Sequence, residues 1–110
     1  MDLVDAIRIV TRSWSFSTEE YQALENLDLD ERAISDFAFR HVVLHLCESS
    51  GKLAGFVEDM DHGCAFDVSV IPNRIIKMLI NTLRLAELHG MTGEDLAKGI
   101  QKWADSKEVK

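Results

Sequence analysis

The sequence predicts an all-α fold: a helical bundle of about five helices, two of them long, completed by homodimerisation. Three observations predict it. Apolar residues recur at three- and four-residue spacing along most of the chain. The stretch from His41 to Glu58 reads as part of one long helix, apolar on two sides. Helix start and stop signals also fall close together, leaving short connections. A single alternating run, Phe66, Val68 and Val70, does not make a sheet, so it reads as an extended loop packed on the bundle.

Residues Asp2 to about Arg12 place Leu3, Ile7 and Val10 on one face of an amphipathic helix. Ser13-Trp14-Ser15-Phe16 breaks it, and Trp14 and Phe16 are expected to close the corner as core, with ligand stacking as the alternative. Ser17-Thr18-Glu19-Glu20 is a capping-box pattern that starts a short helix through Tyr21 and Leu24 to about Leu27. Asp28 or Asp30 caps the long helix, which runs from about Glu31 to about Asp59. Phe39, Val42, Val43, Leu46, Leu53 and Val57 share one face of it; Ile34, Phe37, Leu44 and part of His41 lie opposite. A helix apolar on both sides needs a layer on each. Ser49-Ser50-Gly51 lowers helix propensity midway, where a bend is allowed. Gly51, Ala54 and Gly55 point to close approach of a packed helix, or else to room for a ligand.

Gly63 suits the left-handed residue that ends the long helix. Pro72 fits the first turn of the next, from about Pro72 to His89, with Ile75, Ile76, Leu79, Leu83 and Ala86 as its core face. Arg74, Lys77, Asn81 and Arg84 form its polar stripe, and Gly90 stops it. Thr92-Gly93-Glu94-Asp95 caps a last helix carrying Leu96, Ile100 and Trp103, followed by a frayed charged tail from Asp105 to Lys110. The 110 residues make one domain: an N-terminal helical segment over 1–30, a core over 31–104 and the tail over 105–110.

A formal charge of -7 argues against nucleic acid or an anionic membrane as the main partner. Cys47 and Cys64 form no C-x-x-C pattern and read as reduced cysteines of a cytoplasmic protein. The acidic start, Met1-Asp2-Leu3-Val4-Asp5, does not read as a signal peptide, and no stretch reaches the length of a membrane span.

His45-Leu46-Cys47-Glu48-Ser49-Ser50-Gly51-Lys52-Leu53-Ala54 resembles the first motif of MazG-type nucleotide pyrophosphohydrolases, roughly H-L-x-E-E-x-G-E-L-A. Glu48 keeps the first acid, Ser49 replaces the second and Lys52 the third. Leu83-Arg84-Leu85-Ala86-Glu87-Leu88-His89-Gly90-Met91 resembles the end of the family's next long helix. That register puts its second motif, E-x-x-D, at Arg74-Ile75-Ile76-Lys77, where both acids are basic. The resemblance spans roughly Asp36 to Trp103. It implies a helical protein assembled as a dimer or dimer of dimers. It also implies, for an intact site, Mg²⁺-dependent hydrolysis of nucleoside triphosphates to monophosphate and pyrophosphate.

Such chemistry needs hard oxygen ligands gathered around Mg²⁺. The matching positions here offer Glu48 against Lys52, Arg74 and Lys77. Glu58, Asp59 and Asp61 lie roughly three turns further along the same helix, too far to share Glu48's site. Three readings follow. The first is an active pyrophosphohydrolase. The second is an inactive relative in which Lys52, Arg74 and Lys77 contact phosphate directly; here the bland alternative is a solvated face of Arg74, Lys77 and Arg84, with Lys52 paired to Glu48. The third is a pure interaction module. The expectation is a non-catalytic homodimeric binding or interaction module with no cofactor, possible for a nucleotide or other phosphate ligand. Its candidate ligand residues are His45, Glu48, Lys52, Arg74, Lys77 and Asn81; the alternative is the Mg²⁺-dependent enzyme. His41 and His45, four apart with Glu48 following, are weak metal candidates that need a third ligand such as His62, His89 or Asp67.

Overall fold

In the computed structural model, residues 1–16, 21, 24, 31–65 and 67–108 are described. Their regular elements are all helical, with no strand among the described residues: α1 (Leu3–Ser13), α2 (Glu31–Asp61), a 3₁₀ turn (Val68–Val70), α3 (Ile71–Leu88) and α4 (Gly93–Glu108). The expected short helix from Ser17 to about Leu27, the Asp28 or Asp30 cap and Phe66 lie outside the described residues, except for Tyr21 and Leu24.

Several helix ends have a local cause. Asp2 caps α1 by accepting from the Asp5 amide at 2.9 Å. At the end of α2, Cys64 N–H donates to Asp59 and Gly63 N–H to Met60, with Gly63 at φ 73°. This is the left-handed C-terminal motif that glycine permits. The same pair of bonds recurs at α3, Met91 to Ala86 and Gly90 to Glu87, with Gly90 at φ 79°. At α4, Thr92 and Asp95 cap each other: Thr92 N–H donates to Asp95 at 2.9 Å, and Asp95 N–H to the Thr92 hydroxyl at 3.1 Å. Asp67 holds the 3₁₀ turn through the Ser69 amide, so Cys64 to Ile71 is only partly loop.

α2 and α3 pack side by side and antiparallel, α1 packs on α3, and α4 packs on α1. The core is small. Ile7, Leu24, Ala38, Val42, Leu83 and Ala86 are buried, with Leu24 and Val42 fully so. Burying a side chain of that size contributes roughly 1.5–3 kcal/mol. α4 meets α1 at Gly93: a Cβ there would lie 2.5 Å from the Val4 nitrogen and 2.8 Å from the Leu3 carbonyl carbon, so only glycine allows the contact.

Several expectations are corrected. α2 is continuous through Ser49-Ser50-Gly51, and no described residue lies within 4 Å of a Cβ built at Gly51 or Gly55, so no helix among the described residues packs closely there. Phe39 and Val57, expected on the core face of α2, are exposed, as are Ile75, Ile76 and Leu79 of α3. Ile100 and Trp103 are also exposed, and Lys107 sits over the Trp103 ring. α4 continues through Glu108, where a frayed tail was expected. No helix among the described residues is long and apolar enough to cross a membrane.

Candidate functional site

The middle of α2 faces the first half of α3 across a cavity of about 310 Å³. His45, Glu48 and Lys52 reach it from α2, one helical turn apart, because the three- and four-residue spacing stacks them on one face. Arg74, Lys77 and Asn81 reach it from α3 with the same spacing. All six candidate ligand residues therefore line one cavity. Trp14, Ser49 and Ile80 complete the wall.

The electrostatics are lopsided. Lys52, Arg74 and Lys77 face one carboxylate, Glu48, the only one among the described lining residues. Glu48 is paired with Lys52 at 3.2 Å. Its hydrogen bond to Lys52 holds its carboxyl below the usual carboxylate range, with the Lys52 charge adding to this and His45 and Arg74 contributing less. Among the described residues, Arg74 and Lys77 are in no ion pair. Asn81 is buried, and its amide donates to the Lys77 carbonyl at 2.8 Å. That bond fixes the side chain with its carbonyl oxygen still able to accept.

Behind the cavity stands a wall of rings. Trp14 meets His45 edge-on with centroids 5.7 Å apart, and its indole N–H donates to the Tyr21 hydroxyl at 2.9 Å. His41 stacks on Phe37 at 5.3 Å and lies 4.7 Å from the Tyr21 ring. The Nε2 atoms of His41 and His45 are 3.0 Å apart, one donating to the other. Burial pushes the His41 imidazole below its ordinary range, and His45 adds to this.

Arg84 departs from its expected place. Instead of joining a solvated polar stripe it is buried, donating from Nε to the Trp14 carbonyl at 3.1 Å and pairing with Glu87. Its guanidinium lies 5.2 Å from the centre of the Phe16 ring. Arg84 thereby fixes the segment that delivers Trp14 to the cavity, and Trp14 and Phe16 are half-buried instead of enclosed.

The donor set does not fit Mg²⁺. One carboxylate already bound to an ammonium, with a guanidinium and a second ammonium across the cavity, opposes a divalent cation. His41 and His45 gain no third ligand: among the described residues no three His, Cys, Asp or Glu side chains gather, so His62, His89 and Asp67 stay apart from them. Glu58 instead pairs with His62 at 2.8 Å at the far end of α2. Cys47 and Cys64 are free and exposed. A larger groove of about 690 Å³ lies between α1 and the start of α4, mostly apolar and away from this cluster.

Sequence reasoning leaves Ser49 and Ile80 out of the cavity wall and gives Trp14 a place at a ligand only as the alternative to core. Ser49 had a signal, since it occupies an acidic position of the motif that Glu48 belongs to. Trp14 arrives from another element, and Ile80 looked like part of an apolar run. In comparisons with known proteins, the chain matches no protein family, no curated protein and no solved structure.

Proposed function

We propose that the chain is a non-catalytic, homodimeric helical module whose α2–α3 cavity binds a phosphate-bearing ligand, such as a nucleotide. One observation carries the ligand reading. His45, Glu48, Lys52, Arg74, Lys77 and Asn81 line a single cavity in which three cations meet one carboxylate, and Arg74 and Lys77 are in no ion pair among the described residues. On a chain of net charge -7, that local excess of positive charge favours an anion. Arg74 offers a planar fork of donors to phosphate oxygens, Lys77 a mobile ammonium, and Asn81 an acceptor for a ligand hydroxyl. The resemblance to MazG-type proteins supports a phosphate ligand at the same place.

The dimer reading rests on surface. A folded monomer of 12.4 kDa exposes about 6,100 Å². This chain exposes 8204 Å², so about 2,100 Å² per chain is in excess. Two such chains could bury about 4,200 Å² together, the size of an obligate interface. The radius of gyration, 17.3 Å, also exceeds the roughly 13 Å of a compact chain of this length. The uncovered side chains, Val57 and Met60 of α2 with Ile75, Ile76 and Leu79 of α3, lie toward the turn that joins the two helices. A second copy, or a dimer of dimers, would cover them.

Incubation with nucleoside triphosphates and Mg²⁺ or Mn²⁺ tests the reading. The expected result is binding without pyrophosphate release. Turnover that disappears in Glu48→Gln would establish the pyrophosphohydrolase instead.

A further inference from the structure

We propose that His41 is a positioning residue for His45, and that the pair makes the cavity take up a dianionic group together with one proton. The proposal rests on the anion-binding reading above and adds its regulation by pH.

His45 lines the cavity, and its Nε2 meets Nε2 of His41 at 3.0 Å. At that distance one nitrogen carries the proton and the other accepts it. The neutral pair can take one further proton, giving an imidazolium that donates to an imidazole. A second would set two N–H groups and two positive charges against each other. The pair therefore titrates as a unit.

The surroundings decide when the proton arrives. On α2, Glu48 and Lys52 face His45; from α3 come Arg74 and Lys77; from the segment after α1 comes Trp14. Tyr21 lies against His41, its hydroxyl engaged by the Trp14 indole. Arg84 is occupied by Glu87 and the Trp14 carbonyl. With the cavity empty, Lys52, Arg74 and Lys77 outnumber the one carboxylate, Glu48. A dianion reverses that balance, so His45 gains a proton as the ligand enters. His41 accepts the hydrogen bond, and the Phe37 face stacked on it supports a cationic pair. By linkage, whatever favours the proton favours the anion equally.

Calorimetric titration of the intact protein with inorganic sulfate tests this, because sulfate stays dianionic between about pH 5.5 and about pH 8. Repeating it in buffers of different ionisation enthalpy counts the protons. The expected result is uptake approaching one proton, with affinity rising by up to about tenfold per pH unit as pH falls through the pair's titration. His41→Gln, whose amide oxygen can still accept from His45, should keep the linkage; His41→Phe, which keeps ring packing but no acceptor, should flatten it. If His41→Phe fails to fold, the wild-type proton count and His41→Gln decide. Sulfate binding with no proton uptake, uptake of two protons, or loss of linkage in His41→Gln overturns the role of the pair and leaves the cavity reading standing. No sulfate binding at any pH overturns the cavity reading, and this proposal with it.

Discussion

At the Val42 end of the α2–α3 pair, apolar side chains are covered; at the Ile75 end, side chains of the same kind face water. Ala38, Val42, Leu83 and Ala86 are buried where α1 lies against α3 and the Trp14–Phe16 segment folds over the corner. Val57, Met60, Ile75, Ile76 and Leu79 have no such neighbour and stand more than half exposed. Apolar spacing says which residues share a face. It does not say whether a third element reaches that face, and α1 is too short to run the length of α2, whose 31 residues span about 46 Å. The cavity lies where coverage changes, between the packed end and the open end. There a charged side chain can be held in place and still reach solvent.

Substitutions sharpen the contrast, beginning with the packed end. Val42→Asp buries an unpaired charge at a fully enclosed position and should abolish folding, read as loss of the helical circular dichroism signal. Leu46→Asp, at a half-buried position on the same helix, should cost less. At the open end the double change Ile76→Glu and Leu79→Glu should leave the helices intact and convert the proposed dimer to monomer in sedimentation. If that variant stays dimeric, the uncovered face is not the interface.

Smaller effects test single contacts. Arg84→Ala removes a charged donor from the Trp14 carbonyl and should cost about 2 kcal/mol in denaturant unfolding. It should also loosen the cavity wall, weakening ligand binding although Arg84 does not line the cavity. Gly93→Ala forces a Cβ into the backbone of α1 and should cost about 1–2 kcal/mol, with α4 displaced. The smallest effect concerns pH. His41 titrates below its unfolded value, so the unfolded chain binds the proton more readily. Its contribution to stability is complete above about pH 6.5 and declines as pH falls below that value. The decline in melting temperature should be shallower in His41→Phe.

Helix ends were the most legible part of the sequence, because Gly63, Gly90, Pro72 and the Thr92–Asp95 pair act through their own backbone. The site was legible for the same kind of reason. His45, Glu48 and Lys52 share a face by spacing alone, as do Arg74, Lys77 and Asn81, and antiparallel pairing brings the two sets together. Arg84, next in the same polar series, was misread because its burial depends on Trp14 and Phe16, roughly seventy residues earlier. Periodicity places Ile75, Ile76 and Leu79 on a core face but carries no information about which neighbour is available.

The central claim is that the cavity is an anion site built from cations, not a carboxylate site for Mg²⁺. The most direct measurement is the melting temperature of the wild-type protein with pyrophosphate alone and with Mg²⁺ alone. Pyrophosphate at about a hundred times its dissociation constant should stabilise by about 2.7 kcal/mol, a rise of several degrees. That rise should be lost in Arg74→Ala with Lys77→Ala, and Mg²⁺ alone should produce none. A rise with Mg²⁺ and none with pyrophosphate would contradict the account.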